Sequence, residues 1–448
     1  MKRVALAIVF GALALGGLAL RAPAKPMTSK AAVAAQAAAV EAAPKMRGFD
    51  EALADVTKKR KLVRTLADAE PGAWSRRAAV AGVEMSHAQL TGDYDSYVAA
   101  DVALEEAFAI ARKSIDDENV GPLLLKAQLD YELHRLKPAL AALEAPQKQA
   151  EYFHDDALLA EITSLRGAIT FQLGDYDRGI GLLRKSVELK ATPAHKQRLA
   201  IALMNVGGEE EANAIFDETA KATGAPRSLA WIELMRGKMA LARGERVKGR
   251  KHLENAQKLF PGFWQTEEHL AELDAHEGHT DRAIAAYTKL VAKTNDPEFM
   301  DALAALIADR DPAEAERLRT RSNAIYEERL VKLPEATYGH ALEHFLEFSD
   351  DADRAVEIAK RNVALRPNGE ARTRLAQAYI RAGRLTEARA EIAKVTNSKW
   401  SSAESYATAA IVLRLLGDAS APKLEEKARA KNGQVMDELD WLKPVARS

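Results

Sequence analysis

Between Ala230 and Phe263 the chain reads AWIELMRGKMALARGERVKGRKHLENAQKLFPGF. Gly244 divides the stretch into two helix-forming halves. A glycine there lets one helix stop and the next start at a sharp angle without a Cβ clash. Gly237 in the first half and Gly249 in the second let the two helices approach closely, and Leu253 fills the space beside them. The stretch predicts an antiparallel helix pair.

Working outward, the turn phrase recurs at Gly92-Asp93-Tyr94, Gly174-Asp175-Tyr176, Gly207-Gly208-Glu209, Gly278-His279-Thr280, Gly383-Arg384-Leu385 and Gly417-Asp418. From Gly174 the intervals to Gly207, Gly244 and Gly278 are 33, 37 and 34 residues, and Gly383 to Gly417 is again 34. Periods of this size mark stacked repeats. An isolated pair cannot bury both its apolar sides, so each pair stacks on the next. Small residues at Gly167, Gly179, Ala200, Ala212 and Ala271 repeat the close-approach positions, with Phe216 and Tyr287 as fillers.

These residues resemble the tetratricopeptide repeat family. In Ala230–Phe263, Gly237 is the small mid-helix residue, Gly244 the turn, Gly249 the close-packing site, Leu253 and Ala256 the second-helix core and Pro261 the terminal breaker. Ala160–Pro193 matches through Gly167, Phe171, Gly174, Tyr176, Gly179 and Leu183. The unit from Trp264 supplies Ala271, Gly278, Ala283 and Tyr287, and the one from Gly369 supplies Ala376, Tyr379, Gly383 and Ala388. Three units depart: His134-Arg135-Leu136 replaces a glycine turn, the helix containing Ala315 runs on toward Leu333, and Ser349–Asp353 reads as an acidic turn with a small insertion. The resemblance implies an all-α fold, a right-handed α-α superhelix of tetratricopeptide type. Nine or ten helix pairs are expected over residues 74–430, preceded by a helix over 49–73. Val435, Met436, Leu439, Trp441 and Leu442 predict a capping helix within 431–448.

The N-terminus follows an export pattern. Lys2 and Arg3 precede an apolar run from Val4 to Leu20, and Ala22-Pro23-Ala24 offers small residues for cleavage. Residues 1–24 are therefore expected to be a signal peptide, with an uncleaved inner-membrane anchor as the alternative, and the chain is expected to be periplasmic or secreted. Residues 25–48, rich in alanine and proline, read as a flexible tether. Loss of Lys2, Arg3 and Arg21 would take the 64 basic residues to 61 against 65 acidic ones, a net charge of -4. That balance gives no global basic excess for nucleic acid. The chain has no cysteine, which excludes disulfides, thiolate zinc sites and thiol nucleophiles. Lys58-Lys59-Arg60-Lys61 reads as a solvated helix face.

For function, the resemblance implies a concave inner face, built from the first helix of each pair, that holds an extended peptide or partner domain. Phe171, Gln172, Glu268, Glu272, His276, Thr373, Gln377 and Arg381 are expected to point into that groove. It begins mildly apolar, turns acidic in the middle and ends polar. His340-Ala341-Leu342-Glu343-His344 fits the H-x-x-E-H pattern of some metallopeptidases, with Glu347 one turn on, but Tyr338, Leu342 and Phe345 place it on a buried stripe of a repeat. His269, His276 and His279 read as surface histidines. No phosphate-binding loop, nucleophile elbow or dinucleotide fingerprint occurs, and no metal or cofactor is expected. The expectation is a non-enzymatic protein-binding scaffold in the cell envelope or periplasm. The alternatives are a hydrolase or glycan-processing enzyme with an acidic and histidine site in the groove, and a self-associating structural component. Buried carboxylates with raised pKa in a closed pocket would mark the enzyme, and an open groove of solvated charges would mark the scaffold.

Overall fold

The computed structural model describes residues 48–114 and 121–445. The export signal and nearly all of the tether lie outside the described residues. Within them the protein is all-α, a solenoid of consecutive antiparallel helix pairs from Trp74 to Lys431, with the helix Phe49–Ala69 in front. Among the described residues, no helix is long and apolar enough to cross a membrane.

Local chemistry sets each boundary. Asp155, Asp175, Asp351 and Asn368 cap helices by accepting a bond from the backbone N–H three residues on. Pro193, Pro226, Pro297, Pro312 and Pro334 open helices, where a missing N–H costs nothing. Within the pair read first, an added Cβ on Gly249 would lie 2.6 Å from Leu241, and one on Gly237 would lie 2.9 Å from Leu253. Each glycine thus seats a leucine of the partner helix, so the pair closes to a distance no larger residue permits. Pro261 lies in the turn after Phe260, ahead of the helix Trp264–His276.

Two local expectations differ in detail and a third, the long helix, holds. The acidic turn holds no insertion: Phe348–Asp351 joins Pro334–Glu347 to Ala352–Leu365 directly, because Asp351 serves as the cap. Pro312–Lys332 is long, at 21 residues, as the absence of a breaker before Pro334 implies. The terminal helix is one turn, Val435–Glu438, yet Val435, Met436, Leu439 and Leu442 are buried against the stack.

The solenoid also closes on itself. Phe49 N–H donates to Pro261 O at 2.9 Å, Trp264 Nε1 to Leu90 O at 2.9 Å, Gly369 N–H to the Tyr176 hydroxyl at 2.8 Å, and Ser401 N–H to Asn205 O at 3.0 Å. Tyr94 donates to Ala336 O, and Arg246 pairs with Glu438 at 3.3 Å. Such partners stand between 174 and 242 residues apart, or about five to seven repeat lengths. One superhelical layer, Phe49 to about residue 260, is therefore covered by a second, from about residue 261 onward. Phe171, Tyr176 and Trp400 join across the seam with ring centroids 5.0 to 6.4 Å apart. One hydrophobic cluster accordingly runs from Phe49 to Leu442.

Candidate functional site

Closure turns part of the inner face into a partly open chamber of about 180 Å³. Its walls come from both layers: Tyr97, Glu132, His134, Trp231 and Lys238 from the first, and Trp264, Glu268, His269, Glu298, Phe299, Arg329 and His340 from the second. The first helices of the pairs supply most of these groups. Their inner stripes mix large apolar and charged residues, so the charges that closure buries must find partners within the wall.

At its acidic side, His269 Nδ1 lies 2.9 Å from Glu268 and 3.4 Å from Glu272, the two carboxylates flanking it on one helix. Burial alone would depress the imidazole, but the Glu268 charge and the hydrogen bonds to both carboxylates outweigh it and push the pKa up to about 9. Burial holds the Glu272 carboxyl up at about 8. Ligand atoms of these three residues lie within 4.8 Å of one another, a spacing that could hold a metal ion. The buried ammonium of Lys238 is depressed by desolvation, against the pull of Glu268, Glu298 and Glu272.

Across the seam, Glu132 accepts from Gln89 Nε2 at 2.5 Å through Oε1. Burial raises the carboxyl to about 7, against the opposing hydrogen bonds from Gln89 and Tyr97. His134 stands where other repeats carry the turn glycine and takes the same left-handed backbone, φ 60°. Burial, with Arg366 and His340 nearby, holds its imidazole well below the ordinary value, hence neutral. A smaller cavity beside the chamber gathers Glu268, Glu272, Glu298, Asp301, Glu343 and Glu347.

The expected groove residues separate into three places. Phe171 is buried against Trp400, and Gln172 bonds Asn368 across the seam. Glu268 lines the chamber and Glu272 the cavity beside it. Thr373 donates to Gly369 O at 2.7 Å, Gln377 to Glu404 at 2.9 Å, and Arg381 to Lys443 O at 3.3 Å, all within the last repeats. His276 is half-buried near the end of its helix. Closure thus prevents the eight from forming one open groove. His269 is corrected from surface to buried, at 6 % exposure, because the seam covers its helix face; His279 is exposed.

The H-x-x-E-H segment disperses as well. His340 faces Glu298 at 3.7 Å, whereas His344 is buried, 2.9 Å from Asp301 and between Tyr326 and Phe345. Glu343 pairs with Arg374 at 3.1 Å, and Arg374 with Glu404 at 2.9 Å, a ladder tying three repeats together. Glu132, Lys238 and Glu298 were not singled out from the sequence, and His134 was singled out only as a departure from the turn pattern, not as a site residue. The one signal was His134 at a glycine's place.

No family model matches the chain, and no curated protein matches it. Among solved structures it is similar to yeast Tom70, at 14% identity over 87% of this chain and 90% of that one, with a TM-score of 0.42. It is also similar to the human IFIT1 dimer with m7Gppp-AAAA, at 15% identity over 78% of this chain and 89% of that one, TM-score 0.40. The Naa15/Naa10 complex bound to HypK-THB matches at 17% identity over 85% and 63%, TM-score 0.28. These likenesses are distant. The fold assignment rests on the helix pairs themselves.

Proposed function

We propose that this chain is a non-enzymatic interaction scaffold of the periplasm or cell envelope, and that it recognises a protein or peptide partner through the acidic chamber between its two layers. The observation that supports this reading is the chamber itself: aromatic walls with convergent carboxylates, placed on rigid helices and joined across the seam. The export pattern of residues 1–24 supports the location. The test is capture from a cross-linked cell-envelope extract with the full chain and with the double variant Glu268→Gln/Glu298→Gln. Partners lost with the double variant support the reading. Partners retained equally by both move recognition to another surface.

A second reading draws on a specific observation. Glu132 in the chamber and Glu272 in the cavity beside it are buried carboxyls raised to about 7 and about 8, the feature expected of a general acid. The enzymatic reading requires turnover of a glycan or peptide substrate that Glu132→Gln or Glu272→Gln abolishes. Turnover unaffected by either variant excludes these residues as its acid.

A further inference from the structure

The charges that closure brings into the chamber answer one another. Arg329 meets Asp296 at 3.2 Å, His269 meets Glu268 at 2.9 Å, and Lys238 stands among Glu268, Glu272 and Glu298. Burial holds Glu272 toward the neutral acid, and Glu132 is bonded by Gln89 and Tyr97. The cations Lys238, His269 and Arg329 thus balance the carboxylates Glu268, Asp296 and Glu298. An ion of either sign would lose its hydration here and meet as much repulsion as attraction. The wall selects an uncharged ligand. One polar gap stands open to it. His340 Nδ1 and Glu298 lie 3.7 Å apart, too far for a direct hydrogen bond, and both side chains are 36 % exposed. A hydroxyl oxygen about 2.8 Å from each would close that gap, accepting from the imidazole N–H and donating to the carboxylate. Because a hydroxyl does both, the ion pairs around it stay intact.

Beside the gap is an aromatic corner. Phe299 follows Glu298 in the chain and meets Trp264 with ring centroids 5.8 Å apart, and the bond from Trp264 Nε1 to Leu90 O fixes the indole. A further ring gains by packing at similar distances, about 4.5–7 Å between centroids. Size narrows the class. A cavity of about 150 Å³ takes a benzene ring, so about 180 Å³ takes one ring with its hydroxyl. We infer that the chamber is a pocket for a phenol group, the side chain of a tyrosine in the partner, with its ring against Trp264 and Phe299 and its hydroxyl between Glu298 and His340. A tyrosine hydroxyl titrates near pH 10, so the group enters uncharged. This inference rests on the chamber being the recognition surface proposed above, and it names the group recognised there.

Calorimetry on the full chain with p-cresol, toluene and a blocked Ala-Ala-Tyr-Ala-Ala peptide tests it. The two small probes differ by one hydroxyl, and a purely apolar pocket prefers toluene, because a buried hydroxyl without partners is costly. Here p-cresol should bind about ten-fold more tightly than toluene. Glu298→Leu, which removes the hydroxyl's acceptor, should erase that preference. Asp281→Asn, on the exposed surface away from the chamber, should leave it unchanged. Competition between the peptide and p-cresol supports the tyrosine; p-cresol bound without competition keeps the pocket and overturns the tyrosine. Equal or tighter binding of toluene overturns the pocket, as does heat from methyl glucoside with none from p-cresol, which makes the mixed wall a sugar site instead. Should Glu298→Leu melt early, the contrast between p-cresol and toluene on the native chain decides alone. Preferred binding of p-cresol with no partner captured from the envelope removes the scaffold reading and keeps the pocket. A captured partner with no p-cresol binding does the reverse.

Discussion

The turn glycines of the two layers make an instructive pair of sets. Gly92, Gly174, Gly207 and Gly244 in the first layer and Gly278, Gly383 and Gly417 in the second share one backbone state, φ from 71° to 90°. Their surroundings differ. A Cβ on Gly244 would meet Asn432 at 2.5 Å, on Gly174 the Pro367 carbonyl at 3.2 Å, and on Gly92 the Trp264 indole at 3.4 Å. On Gly278, Gly383 and Gly417 it would meet nothing within 4 Å. In the second layer the glycine turns a corner. In the first it also clears a landing place for the layer above, and the same three-letter phrase encodes both.

The largest effect should be the chamber's pH dependence. Below the ordinary histidine and carboxylate values both forms are protonated, folded or unfolded. His269 at about 9 and Glu272 at about 8 keep their protons longer in the folded state, so stability is full below about pH 5 for this pair and falls as pH rises to 9. The loss between pH 6 and pH 9 should be about 5 kcal/mol, and Glu272→Gln should flatten about half of it. Thermal melts across that range check the sign; stability rising with pH would refute it.

Next in size are breaks at the seam. Gly369→Ala places a Cβ 2.0 Å from the Trp400 ring, beside the backbone bond to Tyr176, and should cost about 3 kcal/mol in chemical denaturation. Gly249→Leu is the matching test within one helix pair and should cost a similar amount, about 3 kcal/mol, since even its Cβ crowds Leu241. Gly369 and Trp400 share the second layer, so a neutral Gly369→Ala beside a damaging Gly249→Leu would mean that Phe171 and Tyr176 of the first layer do not hold the Trp400 ring in place.

Trp264→Phe removes one seam bond to Leu90 O and should cost about 1 kcal/mol, with hydrogen exchange rising at both partners together. The smallest contrast sharpens the comparison itself. Gly174→Ala and Gly383→Ala should each lose about 1 kcal/mol to left-handed strain, with Gly174 about 0.5 kcal/mol worse for its contact with Pro367.

Much of the fold was legible because repeat signals are local. Gly237, Gly249, Leu253 and Pro312 act within one pair, and each does in space what its spacing implies. The site was legible in part. Glu268 and Glu272 lie in the acidic middle of the inner face, as their helix phase predicts. Phe171, Thr373 and Gln377 share that inner phase but are buried in internal contacts. Helix phase states which side of a repeat a residue occupies. It does not state what lies opposite, and for Phe171 that is Trp400, in the other layer.

By itself the sequence determined the all-α class, the helix pairs, and which helix of each pair faces inward. These follow from periodicity, capping and glycine placement, interactions that span no more than one repeat. The tertiary structure alone decided that the superhelix closes, that Glu132 and Glu298 share a chamber, and that His269 is buried between two carboxylates. The reason is geometric. Each repeat rotates against its neighbour by an angle that side-chain packing sets, and whether residue 90 meets residue 264 depends on the sum of those angles over several repeats. A small change in any one of them would move the layers apart, and no single repeat's sequence records the total.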